Sequence, residues 1–194
     1  MKMKSRMDEN MSTKEIFAEI NKRQITAMMM HREFMVMFSF LGLQGFKRWQ
    51  QYRYRDEAAD NDKMNLYFID HNNYMIPSLE VDAVHFIPSD WYGVNRLSVT
   101  PNVKKSYTNR IMLEWQEWES ETKDVLAEYY SMLMKNGEVT DAEFVGKLLC
   151  GTDKELKNLE RCLEELNLVE FDPVYLAEIQ KKIHDGYKEK MHMK

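Results

Sequence analysis

Leu41-Gly42-Leu43-Gln44-Gly45-Phe46-Lys47-Arg48-Trp49 is the stretch on which the fold turns. Its two glycines punctuate the end of one helical pattern, and a second pattern begins at once. Upstream, Ile16, Ile20, Gln24, Met28, His31, Met35 and Phe38 recur at helical spacing behind the capping box Ser12-Thr13-Lys14-Glu15. Downstream, Phe46, Trp49, Arg53, Glu57, Asp60, Met64 and Phe68 share one stripe. A connection this short makes the two helices an antiparallel hairpin.

Working outward, periodicity stops from about residue 71 to 107, where Pro77, Pro88, Gly93 and Pro101 fall. So long a connection is unusual in a compact domain and predicts a crossover along the length of a bundle, with a short extended piece at Ala83-Val84-His85-Phe86-Ile87. A third helix is expected from about Thr108 to Lys135, ended by Asn136-Gly137. Thr140-Asp141-Ala142-Glu143 reads as a second capping box opening a fourth helix to about Leu168, with Phe144, Leu148, Thr152, Glu155, Leu159 and Leu163 on its stripe. Asp172-Pro173 predicts a short fifth helix running to near Lys188. The expectation is an all-α chain: a four-helix bundle of two hairpins in one domain over 12–190, with 1–11 as an N-terminal arm.

Composition fits a helical domain with a sizeable core: 194 residues carry only 7 Gly and 4 Pro. A net charge of -5 gives no nucleic-acid or anionic-membrane signal, so neither partner is expected. The 16 Met read as core filler. The basic start Met1-Lys2-Met3-Lys4-Ser5-Arg6 has no apolar run behind it, so it does not read as a signal peptide. Phe34 to Leu43 is too short to cross a bilayer. Cys150 and Cys162, placed on one helix, lie roughly 18 Å apart along its axis, too far for a disulfide. They read as two buried thiols in a reducing compartment, and a cytoplasmic location is expected. No Gly-rich phosphate loop, HExxH or G-x-S-x-G motif occurs.

What chemistry there is lies in the acids. Glu57 and Asp60, three apart, point to one side of a helix. Two buried carboxylates need a cation or a proton. Their oxygens suit Fe, Mn or Mg, whereas the bland alternative is a solvated helix face among Arg55, Asp56, Asn61, Asp62 and Lys63. Arg53, one turn before Glu57, can pair with it and stand in for a metal as the counter-charge. His31 reads equally as a ligand or as a hydrogen-bonded core histidine. Among Glu117, Glu119 and Glu121, composition does not say which turns inward.

Leu41 to Trp49 resembles the segment joining the first two helices of ferritins, commonly LGLxGFxxW, and Asp141-Ala142-Glu143-Phe144 resembles the start of their fourth helix. The resemblance spans roughly residues 12–168. It implies a ferritin-like bundle with a fifth helix, self-assembly between a dimer and a hollow shell, and iron as the cofactor. Counted from Phe46, the bridging Glu of ferritins falls on Glu57, their His ligand on Asp60, their first-helix Glu on Gln24 and a neighbouring Tyr on His31. Counted from Phe144, the third-helix Glu falls on Glu119 and the fourth-helix Glu-Gln pair on Gly151-Thr152, with Glu155 a further candidate. Gln24, Asp60 and Thr152 depart from the pattern, which implies a degenerate two-iron centre with impaired or absent ferroxidase activity. Three readings follow: an iron-handling protein with at most a modified metal site, a metal-free structural or partner-binding bundle, and an altered carboxylate metal oxidoreductase.

Overall fold

In the computed structural model, which describes residues 11–77, 80, 85–87, 89–91 and 93–192, five long helices account for most of the described residues. They are α1 (Thr13–Phe40), α2 (Gln44–Asn72), α3 (Pro101–Lys135), α4 (Val139–Leu168) and α5 (Pro173–His192). α1 opens on the expected capping box: Ser12 Oγ accepts from the Glu15 N–H, and Glu15 reaches back to the Ser12 N–H at 2.8 Å. It closes in a Schellman turn, with the Gly42 N–H on the Ser39 carbonyl and the Leu43 N–H on that of Phe38. That turn needs φ of +77° at Gly42, which favours glycine there. The hairpin expected from Leu41–Trp49 is therefore formed, and α3 pairs with α4 as the second.

The start of α3 differs from the sequence expectation. The helix begins at Pro101, not near Thr108, because Thr100 caps it and proline occupies its first turn, where a missing N–H costs nothing. A residue read as a loop breaker is a helix starter. The crossover is correspondingly shorter, Asn73 to Thr100, and is tied down by Glu33, whose Oε2 accepts the backbone N–H groups of Phe86 (2.5 Å) and Ile87 (3.0 Å). Of the extended piece expected at 83–87, Ala83 and Val84 lie outside the described residues, as do Met1 to Arg6 and Pro88. His85 to Ile87 form no strand.

The second capping box is also corrected. α4 begins at Val139 with Glu138 at the cap position and no side-chain cap bond. Asp141 is buried and instead accepts from the Tyr67 hydroxyl at 2.9 Å and from Asn72. It ties α4 to α2, a longer-range use than capping. Of the two cysteines, Cys162 is half-buried, with burial pushing its thiol up to about 12, but Cys150 is exposed, contrary to expectation.

Two apolar clusters fill the bundle. One, around Phe34, Phe38, Phe46, Trp49, Trp115 and Leu163, lies toward the Gly42 turn. The other, around Phe17, Met64, Phe68, Leu126 and Leu133, lies at the opposite end. Burial of such side chains contributes about 1.5–3 kcal/mol each. α5, at 20 residues, packs along α2 rather than merely ending the chain. Leu176 is buried, Ile179, Ile183 and Tyr187 pack on the first cluster, and the Tyr187 ring stacks on Trp49 at 5.8 Å.

Gly45 makes this packing so close that a Cβ there would lie 1.8 Å from the Gln180 backbone oxygen. Gly45→Ala should therefore push α5 off α2, costing about 1–3 kcal/mol by the usual measure of overpacking. Hydrogen exchange should rise across 173–192 while α1, α3 and α4 stay protected; unchanged protection there would show that α5 does not depend on this contact.

Candidate functional site

Between the two apolar clusters the bundle is polar, and Arg53 is at its centre. The stripe that buries Phe46 and Trp49 carries Arg53 inward one turn later, leaving it 5% exposed. Its Nη2 donates to Glu57 Oε1 at 2.6 Å and lies 3.6 Å from Glu119 Oε1, while its Nη1 lies 3.3 Å from Asp56 Oδ2 and 3.8 Å from Glu155 Oε1. One guanidinium thus gathers carboxylates from α2, α3 and α4. Glu119 is held in turn by the Trp115 indole N–H at 2.9 Å. A planar fork of five donors suits this many-sided task better than an ammonium would.

Burial lowers the pKa of an isolated guanidinium, but the surrounding carboxylates of Glu57, Glu119, Glu155 and Asp56 more than offset that and hold Arg53 charged. The acids outnumber their cation. Burial pushes Glu57 up to about 7, against the pull of Arg53 and with the help of Glu119, Asp60 and Asp56, and burial raises Glu119 as well. Arg23 supplies a second cation nearby on α1. It lies over the Trp118 ring at 4.4 Å, donates to Thr122 at 2.7 Å and lies 3.8 Å from Glu121.

The structure brings only part of the expected set together. Glu57, Glu119 and Glu155 converge, and Glu119 is the inward member of its trio, at 4% exposure. Asp60 does not join Glu57. Its side chain is 39% exposed, lies at the rim of the stripe and pairs with Lys63 at 2.7 Å. Gln24 is buried but accepts from Asn61 at 3.0 Å, and Asn61 also donates to Asn21 at 2.7 Å. Thr152 is half-buried on α4. His31 is fully buried and its Nδ1 lies 2.7 Å from Gln50 Oε1. Burial, then the Arg53 charge, pushes its imidazole down to about 3, so it is neutral.

Sequence reading missed Gln50 and Asn61. Gln50 lies three residues before Arg53, a spacing that could have placed it inward. Asn61 sits in a run of acids and amides that reads as a solvated face, and nothing local distinguishes it.

The donor set does not fit two metal ions. Among the described residues no three His, Cys, Asp or Glu side chains are grouped to hold one. The carboxylates that do converge close on a permanent cation, while Gln24, His31 and Asp60 are each engaged elsewhere.

The fold itself has well-defined likenesses. The chain is similar to an open-pore ferritin from the hyperthermophilic archaeon Archaeoglobus fulgidus, with a TM-score of 0.70, 16% identity, and coverage of 90% of this chain and 98% of that one. A humanized archaeal ferritin gives a TM-score of 0.74 at 16% identity, over 90% and 98% of the two chains. An engineered closed form of the Archaeoglobus fulgidus ferritin gives 0.68 at 18% identity, over 90% and 97%. No protein-family model matches the sequence, and no curated protein matches it. At such identities the likeness shows the fold: this is a ferritin-like helical bundle. No helix among the described residues is long and apolar enough to cross a membrane.

Two outcomes follow from the cluster. Arg53→Met should cost about 3–5 kcal/mol in urea unfolding, since removing one partner strands the other charges in the interior. A change below 1 kcal/mol would mean that the carboxylates do not depend on Arg53. The pH response is the reverse of an ordinary surface carboxylate. Burial holds the Glu57 carboxyl at about 7 in the folded chain, against the ordinary 4.5, so the native state holds the extra proton. Stability should fall as pH rises from about 4.5 to about 7, by up to about 3 kcal/mol, and Glu57→Gln should flatten that slope.

Proposed function

We propose that this chain is a ferritin-fold subunit with no ferroxidase centre of its own, acting as a structural, self-associating bundle. The observation that carries this reading is the Arg53 guanidinium, set 2.6–3.8 Å from carboxylates of α2, α3 and α4. Ferroxidase chemistry needs two adjacent irons to pass electrons to oxygen. A guanidinium is charged at every working pH and repels the cations that such a site would collect. The reading of an altered metal oxidoreductase called for an open cavity beside Glu57, and Arg53 takes the space next to that carboxylate.

Self-association is supported by apolar side chains left outside on the first hairpin: Met29, Val36, Tyr54, Leu66 and Ile69 are 37–63% exposed. Exposed apolar surface of this kind suits contact with further copies. The archaeal neighbours of the same fold are ferritins, which favours iron handling as a second reading. On that reading iron oxidised elsewhere would be retained by an assembled particle, not bound at this polar layer.

Light scattering on a sizing column, combined with stopped-flow Fe(II) oxidation in air, tests the proposal. The expected result is a homo-oligomer that oxidises Fe(II) no faster than buffer. Fast, saturable oxidation at two irons per chain, or a strictly monomeric protein, would sink it. Iron retained by an oligomer that oxidises none would favour the second reading while leaving the absence of a ferroxidase centre intact.

A further inference from the structure

Gln50, His31, Trp115, Glu119 and Arg53 form a chain of buried side chains whose two ends lie on the same stripe of α2. Gln50 precedes Arg53 by three residues on α2, His31 Nδ1 meets Gln50 at 2.7 Å, and the His31 and Trp115 rings meet edge to face at 5.5 Å. Trp115 bonds Glu119 at 2.9 Å, and Glu119 returns to Arg53 at 3.6 Å. Each of these five residues is at most 5% exposed.

Along and beside this chain, several buried polar atoms have no protein partner: His31 Nε2, Gln50 Nε2, Arg53 Nε, Trp49 Nε1 and Glu155 Oε2. Trp49 belongs because its ring packs on Trp115 at 4.6 Å, and Glu155 because it lies 3.8 Å from Arg53. Orphaned polar atoms are costly in a core, and native cores satisfy them.

Donor and acceptor roles decide what could satisfy them. With Gln50 Oε1 accepting from His31 Nδ1–H, the orphans are three donors (Gln50, Arg53 and Trp49) and two acceptors (His31 Nε2 and Glu155). Turning the Gln50 amide over exchanges the roles of Gln50 and His31 and leaves the count unchanged. A cation is repelled by the N–H groups, and an anion by the carboxylates. A neutral molecule that both donates and accepts satisfies the set, and at this scale that molecule is water.

We propose that the polar layer beside Arg53 is a binding site for ordered internal water, linking His31 and Gln50 on one side to Arg53, Trp49 and Glu155 on the other. This deepens the reading above and rests on its assignment of Arg53 as the resident cation. Internal water then does here what a hydrogen-bonded partner would do: it completes the coordination of groups that the helices alone leave unpaired. It also couples His31 to Arg53, although no direct bond joins them.

A crystal structure at about 1.5 Å or better, a range in which ordered water is routinely seen but hydrogens are inferred, tests the site directly when collected with anomalous data. Expected are light-atom peaks within hydrogen-bond reach of Arg53 Nε and His31 Nε2, with no anomalous signal. In solution, 15N-labelled protein should give water cross-peaks to the Arg53 Nε and Trp49 Nε1 protons, and Gln50→Leu should weaken them. Dry density, with these atoms paired to one another and no water cross-peaks, would overturn the water site while leaving the metal-free reading intact. An anomalous peak between Glu57 and Glu119 would overturn the metal-free reading and the water site with it.

Discussion

The buried charge of Arg53 is the constraint around which the rest of this bundle is arranged. A guanidinium in a core is tolerable only if it is matched, and the match here comes from α2, α3 and α4 together. It acts as a clasp across the middle of the bundle, where direct apolar packing gives way between the two clusters. The excess of acid over base leaves the clasp holding a proton as well, so its electrical balance shifts near neutral pH.

Around that clasp the sequence departs from the ferritin pattern in a concerted way. Where the pattern has a first-helix Glu, Gln24 joins Asn21 and Asn61 in an amide cluster. Where it has a His, Asp60 turns out to Lys63. His31 is neutral and spends its Nδ1 on Gln50. On the proposed reading, each of these groups has a partner within the chain in place of a metal. Removing a metal while keeping its ligands would leave repelling carboxylates; supplying Arg53 and redirecting the other groups avoids that.

The fold was legible in the sequence to a considerable degree. The Schellman turn at Gly42, the capping box at Ser12 and the stripe from Phe46 to Phe68 act through local geometry, and local geometry can be read from spacing. Pro101 and the Thr140 to Glu143 motif misled for the opposite reason. A proline reads alike as a breaker and as a first-turn residue, and the Thr140 to Glu143 spacing reads as a capping box although α4 begins at Val139 and the Asp141 carboxylate within it is used by Tyr67 and Asn72 on another helix. In the site, the Arg53–Glu57 pair is an i,i+4 contact and was visible. The outward turn of Asp60, the amide cluster around Asn61 and the burial of Gln50 depend on which neighbours arrive from other helices, and one chain's periodicity does not encode that. The docking of α5 on α2 was hidden as well, since Gly45 read as part of a turn rather than as the floor of a helix contact.

Thermal unfolding of the native chain with and without a large excess of Fe(II) or Zn(II) tests the central claim most directly. A ligand that binds only the folded state raises the midpoint by mass action, and an excess of about a hundredfold over Kd is worth about 2.7 kcal/mol. If Arg53 is the resident cation of this bundle, the midpoint should be the same with either metal as without it. A midpoint that climbs with metal concentration, and loses that climb in Glu57→Gln, would contradict the account.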